Sequence, residues 1–195
     1  MLLACGVHAS DAGRDWGVEW SSYLDPVTGI RITEATSGTN AADNLYFHFS
    51  NFTADNSHLL FVQDRTGSQQ LFGIEVTTGR ITQWTDEPGL APRSACPDPR
   101  DPRRVYVLRG AEVLALDRFT YRLRRVGEIP GPHLGGFPQI TVSHDGRSLA
   151  VGKQRNATQW EVGLLSVETG DYKTLASQGF RIGHVQHSPT DPVVF

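Results

Sequence analysis

The chain has 195 residues, 38% of them hydrophobic and 20% charged, with a formal net charge of −3. This is an ordinary globular balance, long enough to bury a real core, and its mild acidity gives no global reason to expect nucleic-acid binding. No apolar run is long enough to span a membrane, and Cys5 and Cys96 form no CxxC, zinc spacing or disulfide framework.

Residues 1–15 read as an N-terminal tail and 16–195 as the folded region. Met1-Leu2-Leu3-Ala4-Cys5-Gly6 is like the end of a lipoprotein signal, but four residues before the cysteine supply neither a basic region nor a full apolar stretch. Two readings stay open. One is an arbitrary start. The other is a missed upstream start, which would make an exported, periplasmic or envelope protein anchored at Cys5. His8 to Gly13 read as a small-residue linker.

Trp16-Gly17-Val18-Glu19-Trp20, the turn Asp25-Pro26-Val27-Thr28-Gly29 and Ile30-Arg31-Ile32-Thr33 then give strand, turn and strand, half of a larger unit. The full unit follows. Phe52-Thr53-Ala54-Asp55 makes a polar turn, Leu59 to Val62 and Leu71 to Val76 make two strands, and Thr78-Gly79 turns the chain into Ile81 to Trp84. The same order returns at Pro97-Asp98, Val105 to Leu108, Glu112 to Leu116 and Tyr121 to Val126. It returns again at Ser143-His144-Asp145-Gly146, Leu149 to Val151, Glu161 to Val167, Thr169-Gly170 and Tyr172 to Leu175. A fourth copy begins at His187-Ser188-Pro189.

The turn aspartates Asp55, Asp98, Asp145 and Asp191 follow one another at steps of 43, 47 and 46 residues. Four short strands repeated at roughly 40–50 residues are the signature of β-propeller blades. One such sheet cannot bury both faces alone, so it stacks on its neighbours. The expected fold is therefore all-β: an incomplete β-propeller with about three four-stranded blades and two partial ones. Too few blades are present to close a ring, so the sequence predicts a fragment or part of a larger assembly.

The stretch Asn44-Leu45-Tyr46-Phe47-His48 before Phe52-Thr53-Ala54-Asp55 resembles the first blade of the oligogalacturonate lyases, as does the preceding Asp25-Pro26-Val27-Thr28-Gly29. Gly135-Gly136-Phe137 leading to Ser143-His144-Asp145-Gly146 resembles their third blade. Ile182-Gly183-His184-Val185-Gln186, with Pro189 and Val193-Val194-Phe195, is similar to a Gly-His stretch, proline and short strand of the same family. The resemblance implies a seven-bladed propeller about twice this length, cytoplasmic in enterobacteria, that cleaves oligogalacturonate in pectin catabolism. The reaction is a β-elimination: the C5 proton beside the uronate carboxylate is removed and the C4 oxygen leaves. In the family a histidine serves as base, an arginine assists, and a Mn²⁺ bound mainly by histidines holds the substrate. Those motifs follow the Gly-His segment, so the base, the arginine and the metal ligands are carried onto no position here. The chain alone is expected to be inactive.

Four residues remain candidates for contacting an acidic sugar. His184 and Gln186 are two apart, so on a strand they would share one face, with His187 facing the other way as a turn residue. Asn44 and His48 alternate with Tyr46 along what reads as an innermost strand. Tyr46 and His48 read equally as packing between blades. The clusters Arg100/Arg103/Arg104 and Arg118/Arg122/Arg124/Arg125 read as solvated faces or as a polyanion surface. The alternative to the lyase is a non-catalytic TolB- or WD40-like propeller that binds a protein.

Overall fold

Three units with the same strand and turn chemistry should fold as three similar sheets. The computed structural model describes residues 10–37, 41–46, 50–131 and 139–191. Among them are fifteen strands and no helix. Strands β1 (Asp15–Val18), β2 (Ser21–Leu24) and β3 (Arg31–Glu34) come first. The first blade is β4 (Ala42–Asn44), β5 (His58–Gln63), β6 (Gln70–Glu75) and β7 (Arg80–Gln83). The second is β8 (Leu90–Pro97), β9 (Arg104–Arg109), β10 (Glu112–Asp117) and β11 (Arg122–Glu128). The third is β12 (Gln139–Val142), β13 (Ser148–Asn156), β14 (Gln159–Ser166) and β15 (Tyr172–Gln178). Each blade is antiparallel with its four strands neighbours in chain order, from β4, β8 or β12 at one edge to β7, β11 or β15, and in the first blade β1 adds beyond β7.

The repeat is more regular in space than in its aspartates. Thr53 N donates to the His58 carbonyl, Asp98 N to that of Arg104 and Ser143 N to that of Ser148, at 3.1, 3.0 and 2.9 Å. Thr53, Asp98 and Ser143 are therefore equivalent, each 45 residues after the one before, and Ser188 continues the step. In the first and third blades the hydroxyl at this position donates to Asp55 or Asp145 two residues on, both at 2.6 Å. In the second blade Asp98 itself accepts from Arg100 N and Asp101 N, at 2.9 and 3.3 Å. Either arrangement satisfies backbone donors that the turn would otherwise leave open.

A second turn recurs between the third and fourth strands of each blade and between β2 and β3. Gly29, Gly79, Tyr121 and Gly170 each donate N–H to the carbonyl four residues back, at 2.7–2.9 Å. All four have positive φ, between 57° and 77°. Glycine meets that demand without a Cβ clash. Tyr121 meets it at some cost and gains packing: its ring covers Gly13 and borders the core of the first two blades.

The middle strands of the second blade are apolar on both faces because that blade is sandwiched between the other two. Leu60, Val62, Leu71 and Trp84 of the first blade pack with Val105 and Leu116 of the second. Tyr106, Leu108, Val113 and Ala115 of the second pack with Ile140, Leu149, Val151 and Leu165 of the third. Trp84 lies against Gly73, where any Cβ would collide with its ring, and the hydroxyl end of Tyr172 lies likewise against Gly163.

The N-terminal segment departs from the expected half blade. β2 and β3 do form a hairpin through Thr28-Gly29. The strand before them does not join it: β1 pairs with β7 as a fifth strand of the first blade. Side chains decide this. Trp16 packs against the guanidinium groups of Arg14 and Arg65, at 3.9 and 4.9 Å from its ring centroid. Arg65 also pairs with Glu19 at 2.8 Å, and Arg80 pairs with Asp15. The stretch read as a linker is partly docked too, since Asp11 N donates to Asp86 and Gly13 N to the Gln83 carbonyl, each at 2.8 Å.

Candidate functional site

Ligands of stacked-blade folds meet the edge where the innermost strands line up. Here that edge carries β4, β8 and β12. β4 ends at Asn44, which is exposed and sits opposite Phe61 of β5. Leu45 turns into the core and is fully buried, so Tyr46 turns outward and keeps 39% of its surface exposed. Tyr46 is thus not packed between blades. Its ring stacks on His184, with centroids 5.7 Å apart and planes within 10°. An offset parallel pair of this kind is favourable beyond its area. It joins the first blade to the segment that follows the third.

His184 and Gln186 do not share the face of a strand, because residues 181–186 form none. His184 instead has φ of 57°, in the left-handed region that a non-glycine residue rarely adopts. Its neighbours fix it there. Val185 is buried and fills the space over Gly152, which only a glycine leaves open. His184 is exposed and Gln186 half-buried.

His187 is not a turn residue at the surface. It is buried, its backbone N–H donates to Thr141 Oγ1 at 3.2 Å, and its ring lies 3.1 Å from the Thr141 carbonyl and 3.3 Å from Ser148 Oγ. Burial holds its imidazole below the usual pKa, partly offset by the Thr141 bond. Its role is to pin residues 184–187 to the third blade. His48 lies outside the described residues. Of the four candidates, then, the described ones are Asn44, His184 and Gln186. Tyr46, which the sequence reads as packing between blades, faces out, and the fully apolar Leu45 beside it was the available sign.

Among the described residues no three His, Cys, Asp or Glu side chains gather closely enough to hold a metal ion. No helix is long and apolar enough to cross a membrane.

No family model matches the sequence. An oligogalacturonate lyase solved in complex with manganese superposes with a TM-score of 0.82 at 20% identity, over 92% of this chain and 52% of that one. This is the fold of the oligogalacturonate lyases. The lyase from Vibrio parahaemolyticus superposes almost as well, with a TM-score of 0.81 at 17% identity over the same shares. In sequence, the oligogalacturonate lyase of Dickeya dadantii is 20% identical over 92% of this chain and 50% of its own length. TolB from Acinetobacter baumannii, another propeller-like neighbour, gives a TM-score of 0.63 at 16% identity. The chain spans about half the length of the lyases it resembles.

Proposed function

We propose that this chain is part of an oligogalacturonate lyase, the part that helps to hold the acidic oligosaccharide while β-elimination is carried out by groups elsewhere in the complete protein. The observation that carries the reading is the superposition on the manganese-bound lyase over nearly the whole chain. The weaker fit to TolB, at 0.63, leaves the protein-binding reading second. The Tyr46–His184 stack is the proposed contact surface. Its flat faces suit the apolar face of a sugar ring, while Asn44 and Gln186 supply amide donors for carboxylate and hydroxyl oxygens. The left-handed backbone at His184 supports a functional reading, since strain of about 1 kcal/mol is retained where a side chain must be aimed. The described residues offer no ligand set for the divalent metal of the lyases, so no step is assigned to a metal here.

The test is titration of the purified chain with a saturated oligogalacturonate, followed by isothermal calorimetry and by the ultraviolet absorbance of the unsaturated product. Binding without turnover is expected, weakened in His184→Gly. Turnover by the chain alone would show that catalytic groups had been placed wrongly. Absence of binding, with capture of a defined protein partner instead, would favour the TolB-like reading.

A further inference from the structure

The second blade separates its charges. At one end of β10 and β11 they cancel: Arg109 and Arg125 pair with Glu112 at 3.0 and 3.2 Å, and Arg125 with Glu128 at 2.9 Å. At the other end Arg103, Arg104, Arg122 and Arg124 surround a groove of about 360 Å³ that contains only two carboxylates, Asp101 and Asp117. Those two are already engaged. Arg103 pairs with Asp117 at 2.9 Å, and Arg104 pairs with Asp101 at 3.1 Å and with buried Asp98 at 3.3 Å.

Arg122 and Arg124 are left over. Among the described residues the Arg122 side chain makes no hydrogen bond or ion pair, and the Arg124 side chain makes only a 3.4 Å bond to the Arg125 carbonyl. Both are exposed. They occupy alternate positions of one strand, so they project to the same side about 7 Å apart. Across the register Arg122 faces Asp117 and Arg124 faces Ala115, whose small side chain leaves the groove floor open. A chain of net charge −3 thus keeps a local positive excess of two unpaired guanidinium groups. The groove is lined by the β8–β9 turn and by residues of β9, β10 and β11, all in the second blade, and shares no residue with the Tyr46–His184 surface.

We propose that this groove is a second anion site, in which Arg122 and Arg124 each take a carboxylate of one acidic oligosaccharide chain at the periphery of the second blade. The assignment rests on the reading of the chain as part of an oligogalacturonate lyase. A planar guanidinium binds a carboxylate through two parallel N–H···O bonds, and two guanidinium groups at fixed spacing select a ligand with repeated carboxylates. A methyl-esterified oligomer offers neither charge.

The test uses the full chain and three probes: a defined oligogalacturonate, its methyl ester, and inorganic phosphate. The Arg122→Gln/Arg124→Gln variant is expected to bind the oligogalacturonate about tenfold more weakly or worse, with a shallower dependence on salt. Arg122→Lys/Arg124→Lys should recover part of the loss, which a damaged fold would not. The ester should bind wild type and variant alike. Unchanged affinity in the glutamine variant, with loss in His184→Gly, would overturn the groove and leave the lyase reading standing. Phosphate binding as tightly as the oligomer would overturn the oligosaccharide assignment. Failure of wild type to bind the oligomer at all would remove the lyase reading and the groove together.

Discussion

Replacing Arg118 with methionine keeps an apolar stem and deletes the charge that ties the first blade to the second. The guanidinium arises from the β10–β11 turn, and its side chain is only 9% exposed. Its Nε donates to the Pro102 carbonyl at 2.7 Å, and its Nη2 to Asp55 at 3.2 Å. Nη1 lies 3.2 Å from His58 Nδ1. Hydrogen bonds from a charged donor contribute about 1.5–3 kcal/mol when buried, and orphaning their acceptors costs a similar amount. The Asp55 side chain is 39% exposed, so its share falls below about 1 kcal/mol through solvent screening. The carbonyl and the imidazole remain, and Arg118→Met should cost about 2–3 kcal/mol. For a chain of this size that is a fall of roughly 4–12 °C in the melting temperature. Urea unfolding should show a lower midpoint at unchanged slope. The Asp55 carboxyl should also titrate higher. Burial alone would raise it, and bonds from Thr53 and Ser57 together with Arg118 now hold it down at about 2. A variant within about 0.5 kcal/mol of wild type would refute the reasoning, because a shift that small is typical of a surface substitution away from any structural tie.

Lys153 and Glu161 form a buried pair at 3.3 Å, each no more than 3% exposed. Glu161→Leu should destabilise by about 3–5 kcal/mol in urea unfolding, because it leaves the Lys153 ammonium buried against the Pro130 carbonyl and the Tyr172 ring without a counter-charge, and adding Lys153→Met should recover much of that; Lys153→Met alone should cost less, since Glu161 keeps Arg155 at 3.3 Å and the Tyr172 hydroxyl at 2.8 Å. Gly73→Ala should cost about 1–3 kcal/mol, measured the same way, because Trp84 occupies the place of the new Cβ. His184→Gly should leave stability within about 1 kcal/mol of wild type, since relief of its φ is offset by the lost stack on Tyr46 and by the greater freedom of glycine in the unfolded chain. A large loss would show that the ring serves the fold.

The three blades were legible because their signals are local. Alternation, Thr-Gly turns and hydroxyl–Asp turns are short-range chemistry, repeated often enough to show a period. Even there, Asp98 appeared equivalent to Asp55 and Asp145, although its hydrogen bonds place it with Thr53 and Ser143. What failed was set by partners distant in sequence. β1 reads as a strand, but only Arg65 and Arg80 tell it to join β7. His184 and Gln186 alternate like strand residues, but burial of Val185 on Gly152 and of His187 on Thr141 winds the backbone between them. Arg118 and Arg122 sit four apart in one basic run. One closes a blade junction and the other stays unpaired, which only the neighbouring sheet decides.

The two junction histidines make opposite demands on their protons, and this gives the sharpest test of the inter-blade chemistry. A guanidinium has no acceptor, so its bond to His58 Nδ1 calls for a lone pair there and the proton on Nε2; Ser57 Oγ, 2.8 Å from the same nitrogen, then turns its proton to Nδ1 or to Asp55. At His187 the Nδ1 faces the Thr141 carbonyl, so it must carry the proton, and Nε2 accepts from Ser148. Burial is the largest cause lowering both pKa values below 6.5; Arg118 lowers that of His58 further. Both groups are therefore neutral in the fold and charge more readily when unfolded. Their contribution to stability is complete above about pH 6.5 and is lost as pH falls from there through the folded-state values. The loss should be larger at His58, where the added proton meets a cation, than at His187, where Nε2–H still finds the Ser148 oxygen. Nitrogen-15 shifts should report the Nε2–H tautomer at His58 and the Nδ1–H tautomer at His187 near neutral pH. His58→Gln, whose amide oxygen can accept from Arg118 without titrating, should flatten the acid limb of the stability profile more than His187→Gln. The same tautomer at both sites, or a wild-type profile that is flat down to about pH 5, would mean that the junctions are held by apolar packing alone.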